Sequence, residues 1–180
     1  MKYAVRVPAT TANAGSGFDT IGIALSLYNE LYFETEPDAA GITVEVTGEG
    51  EKEIKSDKEN LILSAMARTA EKAGRSLPGG HMREVNRIPF ARGLGSSSAA
   101  IVGGIFLANL LMGEPFGKEE LLEIAAGMEG HPDNAAPAIY GKLRISLMEG
   151  NRVITTDMEV PEEWRAVVAV PDFEVRTSEA

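Results

Sequence analysis

An α+β fold is predicted by three features of this 180-residue chain. Period-two segments such as "KYAVRVP" and "GITVEVTG" are interleaved with segments of helical spacing, but without the regular rhythm of a βαβ protein. Hydrophobic residues make up 44% and charged residues 24%, the balance of a folded globular chain. No internal repeat, linker or low-complexity tract divides it, so residues 1–180 are read as one domain with a real core.

The elements follow in order. "KYAVRVP" (2–8) opens as a strand that Pro8 closes, and "TTANAGSGFDTIG" (10–22) is a loop of small residues. "IALSLYNELYFETE" (23–36) reads as extended, and "GITVEVTG" (41–48) as a strand between glycines. "DKENLILSAMARTAEKAG" (57–74) carries Leu61, Ala65, Met66 and Ala70 at helical spacing, with Asp57 as N-cap and Gly74 as the stop. "GHMREVNRIP" (80–89) is a short strand, and an apolar helix runs from Ser97 to Leu111. "FGKEELLEIAAGMEG" (116–130) is an amphipathic helix with acids in its first turn, where the helix dipole favours them. "HPDNAAPAIYG" (131–141) is a turn with a short helix. "KLRISLMEGNRVITTDM" (142–158) is a hairpin about Gly150, and "WRAVVAVP" (164–171) a buried strand.

Charge narrows the function. Acidic residues outnumber basic ones 27 to 17, a net charge of -10, which argues against nucleic acid or an anionic membrane as partner. A local cationic pocket for an anionic small molecule remains open. With no cysteine there is no disulfide, thiolate metal site or cysteine nucleophile. The amino terminus lacks the apolar core of a signal peptide, and the apolar stretch at 99–112 is interrupted by Gly103, Gly104 and Asn109 and too short to span a bilayer. A cytoplasmic location is expected.

The chemistry concentrates in "IPFARGLGSSSAA" (88–100). Unpartnered N–H groups at a helix amino terminus, with the positive end of the dipole, attract anions. Glycines let the backbone approach such an anion, and serines add donors. Gly93, Gly95, Ser96, Ser97 and Ser98 therefore form a candidate phosphate cradle, without the lysine of a Walker A loop. Composition alone allows equally a glycine-rich turn whose serines cap a buried helix.

The order of residues resolves more than their composition. "IPFARGLGSSSAA" resembles the second motif of the GHMP kinases, P-x-x-x-G-L-G-S-S-x-[AG]. "VPATTANAGSGFDTIGIAL" (7–25) and "EGHPDNAAPAIYG" (129–141) are similar to the first motif and a third segment of that family's homoserine kinase branch. The resemblance implies the amino-terminal lobe of such a kinase, an α+β domain similar to the second domain of ribosomal protein S5. It implies transfer of a phosphoryl group from ATP, with Mg²⁺, to the hydroxyl of L-homoserine.

Residue by residue, the resemblance places the triphosphate on Pro89, Phe90, Ala91, Arg92, Gly93, Leu94, Gly95, Ser96, Ser97, Ser98 and Ala99. Arg92 is either a phosphate contact or a solvated loop charge. The metal falls to Ser97 or its neighbour Ser98, and to Glu129, which fits the family position better than Glu123. Asn13 and Asp19 would contact homoserine, Asp19 its ammonium group, unless both are merely turn formers. Asn134 and Asp133 would lie by the acceptor hydroxyl, with Asp133 the local residue able to accept a proton. His131 would line the same site or hold the turn. Asn60, in "SDKENLI", is an adenine contact or a helix-start residue.

The chain departs from the family pattern in three places. Lys142 stands where a second glycine is usual, and would crowd the backbone or reach toward phosphate. Gly127 interrupts a helix just before Glu129. The chain also ends at or just before the start of the family's second lobe. "VPDFEVRTSEA" is one residue short of the arginine that would hold the homoserine carboxylate, Thr177 keeps its place, and Arg176 is out of register. The expectation is weak nucleotide binding, little turnover, and self-association as a homodimer through apolar surface.

Overall fold

The computed structural model describes residues 1–51, 60–161 and 163–169. Among them, strands β1 (Lys2–Ala12), β2 (Ile21–Thr35), β3 (Ile42–Gly48), β4 (Gly80–Asn86), β5 (Leu143–Glu149) and β6 (Arg152–Met158) form one sheet. Helices α1 (Leu61–Ala73), α2 (Ser96–Leu111), α3 (Lys118–Glu129) and α4 (Ala135–Tyr140) complete the core. The strand order is β3-β4-β2-β5-β6, with β1 paired to β2. Only β3 and β4 are parallel, joined through α1; the other pairings are antiparallel. This is the α+β class expected.

Helix α2 is the spine. One cluster joins Val102 and Ile105 to Val7 of β1, Leu121 and Leu122 of α3 and Ile139 of α4. The other joins Leu107 and Ala108 to Phe33, Met66 and Met82. A helix buried on both sides needs no polar face, which is why its sequence is apolar all round. The two glycines that interrupt the run lie where neighbours leave no room for a side chain. A Cβ on Gly103 would lie 2.8 Å from Leu31 Cδ1, and one on Gly104 would lie 2.5 Å from the Ile62 carbonyl oxygen.

Several boundaries differ from the sequence expectation. Strand β1 does not stop at Pro8 but continues to Ala12, with a register shift between Pro8 and Thr10. The missing N–H of proline is tolerated because β1 pairs with β2 alone among the described strands, and the irregularity absorbs the step. Helix α1 begins at Leu61 with Asn60 as its N-cap; Asp57 lies outside the described residues. Helix α2 begins at Ser96, one residue early.

The expected strand at 164–171 is not a strand over 164–169, and 170–171 lie outside the described residues. Trp164 is 66% exposed and Val167 95%. An apolar run signals a need for cover, and no described element covers this one. The hairpin over 142–158 forms as expected, turning at Gly150.

The two odd residues have different explanations. Lys142 adopts φ 64°, and its Nζ pairs with Asp157 Oδ2 at 2.9 Å, so it turns toward β6 rather than toward the serine loop. Gly127 has open space where a side chain would go; nothing in the structure explains it.

Candidate functional site

Three separated segments converge on the amino terminus of α2. The loop feeding it is shaped by its backbone: Ala91, Gly93 and Gly95 all have positive φ, at 52°, 66° and 65°. The first helical bond is Ala99 N–H to the Gly95 carbonyl at 2.9 Å. The N–H groups of Ser96, Ser97 and Ser98 therefore have no helical partner, and no side chain caps them. These N–H groups lie at the positive end of the α2 dipole.

The loop is held from beneath. Asn29, buried in β2, accepts from the Arg87 N–H at 2.8 Å and the Ile88 N–H at 3.0 Å through Oδ1. Its Nδ2 donates to Asn86 Oδ1 at 2.9 Å, and Asn86 Nδ2 donates to Glu84 Oε1 at 2.7 Å. Burial pushes the Glu84 carboxyl up, while the amide bond from Asn86 pulls it down. This brace was not foreseen. Its signal was a polar Asn29 within the aromatic strand "LYNELYF".

Glu129, at the end of α3, faces the serines. Ser98 Oγ donates to its Oε1 at 2.7 Å and its Oε2 at 2.6 Å, and Ser97 Oγ reaches Oε1 at 3.2 Å. Burial holds the Glu129 carboxyl above its ordinary value, against the lowering effect of the serine hydroxyls. Three hard oxygen donors with an under-compensated carboxylate fit a small divalent cation such as Mg²⁺. Among the described residues, the carboxylate hydrogen-bonded to these serines is that of Glu129 and not that of Glu123. Arg92 turns its Nη1 onto the carbonyls of Phe90 and Ala91, both at 3.2 Å.

The "HPDN" segment sits under the first motif. A Cβ on Gly22 of β2 would overlap the Asp133 carbonyl oxygen, so glycine permits the approach. Asp133 is fully buried; its Oδ1 takes the His131 ring Nδ1 and the Asn134 N–H at 2.8 Å, while Oδ2 is buried without a partner. Burial alone would lower the His131 pKa, but the bond from Asp133 and the charges of Asp133, Glu129 and Asp19 raise it overall. Asp19, His131 and Asp133 bring their ligand atoms within 4.8 Å of one another.

Asn13 and Asp19 are both exposed and both left-handed, at φ 61° and 52°. Asn13 Oδ1 accepts from the Asp19 N–H at 2.8 Å. The turn-forming role is thus real, and it presents the Asp19 carboxylate to His131. Asn60 is also a helix-start residue. Its Oδ1 accepts from Ile62 and Leu63, and its Nδ2 is buried without a partner.

Thr10 was missed altogether. It is fully buried, bonds Leu94 through its backbone N–H at 3.1 Å, and donates its hydroxyl to Asn134 Oδ1 at 2.8 Å. One of several small residues in "PATTANAG", it carried no sequence signal that set it apart.

Residues 60–142 match the GHMP kinases N terminal domain. The chain is 46% identical over 173 residues to homoserine kinase of Moorella thermoacetica, covering 96% of this chain and 57% of the relative. It is 43% identical over 176 residues to that of Carboxydothermus hydrogenoformans, covering 98% and 57%. The crystal structure of homoserine kinase from Cytophaga hutchinsonii superposes with a TM-score of 0.81 at 26% identity, over 99% of this chain and 58% of that one. The chain thus spans a little over half the length of the relatives it matches. Among the described residues, no helix is long and apolar enough to cross a membrane.

Proposed function

Given that this chain belongs to the GHMP kinase family, we propose that it carries the nucleotide and acceptor sites for transfer of the ATP γ-phosphoryl group to L-homoserine. The product is O-phosphohomoserine, an intermediate on the route to threonine, and the reaction belongs to the cytoplasm. The observation that carries this reading is the meeting of the serine cradle, Glu129 and the Asp19–His131–Asp133 cluster at one end of α2.

Phosphoryl transfer asks for charge neutralisation and alignment more than for covalent help. The N–H groups of Ser96, Ser97 and Ser98 offer donors to phosphate oxygens, with the loop from Pro89 to Ala99 around them. Ser97 or Ser98, together with Glu129, would hold the magnesium, which when bound neutralises phosphate charge. Asp19 suits the ammonium of an amino acid, with Asn13 fixing its backbone and His131 beside it. Asn134 holds the acceptor hydroxyl in line. The acceptor oxygen bonds to the γ-phosphorus as the bond between that phosphorus and the bridging oxygen of ADP breaks, and ADP leaves. Asp133, the local residue able to accept a proton, lies beneath the acceptor position, and its Oδ2 has no hydrogen-bond partner among the described residues.

Self-association is proposed alongside, supported by Leu147, Ile154 and Met158, exposed on one face of the β5–β6 hairpin; sedimentation of the purified chain measures it. The kinase reading is tested by ADP release from Mg·ATP with L-homoserine, mevalonate or galactose offered separately. Release with homoserine alone supports it, and release with another acceptor instead moves the chain to another branch. Silence with all three, with nucleotide still bound, leaves a phosphate-binding lobe.

A further inference from the structure

Thr10 lies beneath the site without facing it, yet it contacts all three converging segments. It belongs to the first motif, its backbone N–H bonds the Leu94 carbonyl, and its hydroxyl donates to Asn134 Oδ1. A Cβ on Gly95 would overlap Thr10 Oγ1 and come 3.1 Å from Asn134 Oδ1, so loop, threonine and amide are packed as one unit.

We infer that Thr10 is a positioning residue that fixes the side-chain amide of Asn134 so that its N–H, not its carbonyl, meets the acceptor. An amide has two ends that differ only in hydrogen bonding, so its orientation is set by its partners. Two partners agree here. The Thr10 hydroxyl occupies Oδ1 at 2.8 Å, and Asp133 Oδ1, an acceptor, lies 3.4 Å from Nδ2. Turning the amide over would set two oxygens against each other at Asp133. Thr10 is fully buried while Asn134 is half-buried, so the end of the amide left for a substrate is Nδ2.

The consequence is selectivity. A donor at that place engages an oxygen lone pair, as a hydroxyl offers, and repels a protonated amine, which has none. This rests on the homoserine reading above, so the test separates the two. The substitution Thr10→Val keeps the shape and removes the donor; Thr10→Ser keeps the donor. The Asn134 side-chain amide resonances, assigned by their loss in Asn134→Ala, are followed in all forms with and without L-homoserine or its amine analogue, 2,4-diaminobutanoate. ADP release is measured in parallel.

In the wild type and Thr10→Ser, homoserine shifts the Nδ2 protons and the amine analogue competes poorly. In Thr10→Val the amide resonances move, the preference for homoserine over the analogue narrows about tenfold, and kcat falls by a similar factor with KM for ATP unchanged. If Thr10→Val leaves the Asn134 resonances where they were, or moves them without narrowing the preference, the inference is overturned. Should Thr10→Val not fold, the wild type decides: a slowly exchanging Thr10 hydroxyl proton coupled to Asn134 supports the brace, and a rapidly exchanging one overturns it. A wild type whose Asn134 resonances respond to neither acceptor counts against the homoserine reading, while the shift in Thr10→Val still decides the brace.

Discussion

At the front of α2, Gly93 and Gly95 hold φ of 66° and 65°, a backbone that side chains rarely adopt. Gly103 and Gly104, two turns further on, have ordinary helical torsions, but Leu31 and Ile62 press on the space a side chain would fill. The first pair bends the chain so that N–H groups face outward; the second lets a helix sink between a sheet and another helix. In sequence both look like interruptions. Gly93 serves torsion, Gly103 and Gly104 serve contact, and substitution separates the two demands.

At Gly95 both demands coincide. Gly95→Ala combines left-handed strain with overlap on Thr10 and is expected to cost roughly 2–5 kcal/mol by urea unfolding. Nucleotide binding should be lost with it. Gly104→Ala tests contact alone, because its torsion suits alanine. Overpacking against the Ile62 carbonyl is expected to cost about 1–3 kcal/mol, with nucleotide affinity in the surviving folded protein unchanged.

Glu129→Gln sharpens the difference between site and core. Burial raises the folded-state pKa of Glu129 above its unfolded value, so the folded state binds the proton more readily. Stability therefore rises as pH falls through the raised pKa, and levels off near the ordinary glutamate value of 4.5. Glu129→Gln should flatten this part of a stability-against-pH series and stabilise the fold at neutral pH, while weakening magnesium-dependent nucleotide binding. The smallest effect belongs to Gly127, which serves neither torsion nor contact. Gly127→Ala should stabilise the fold by about 0.5–1 kcal/mol, seen as a higher Tm.

Much of this was legible in the sequence because local chemistry fixes it. Period-two runs and helical spacing located β3, α1, α3 and the β5–β6 hairpin, and the order of glycines and serines located the front of α2. The extension of β1 past Pro8 was not legible, since it depends on having a long β2 to pair with. Nor was the brace from Asn29 to Asn86, which joins residues 57 positions apart. The exposure of 164–169 was misread because an apolar pattern reports a demand for burial and not its supply. Thr10 was hidden because its partner, Asn134, lies 124 residues away.

The front of α2, with Glu129, is proposed to load a magnesium–nucleotide complex. Its most direct test is titration calorimetry of this chain with a non-hydrolysable ATP analogue, in magnesium and again in chelator. Binding in magnesium is expected, weakening at least about tenfold in chelator and in Glu129→Gln. No binding by the wild type, or equal binding in all three cases, would contradict it.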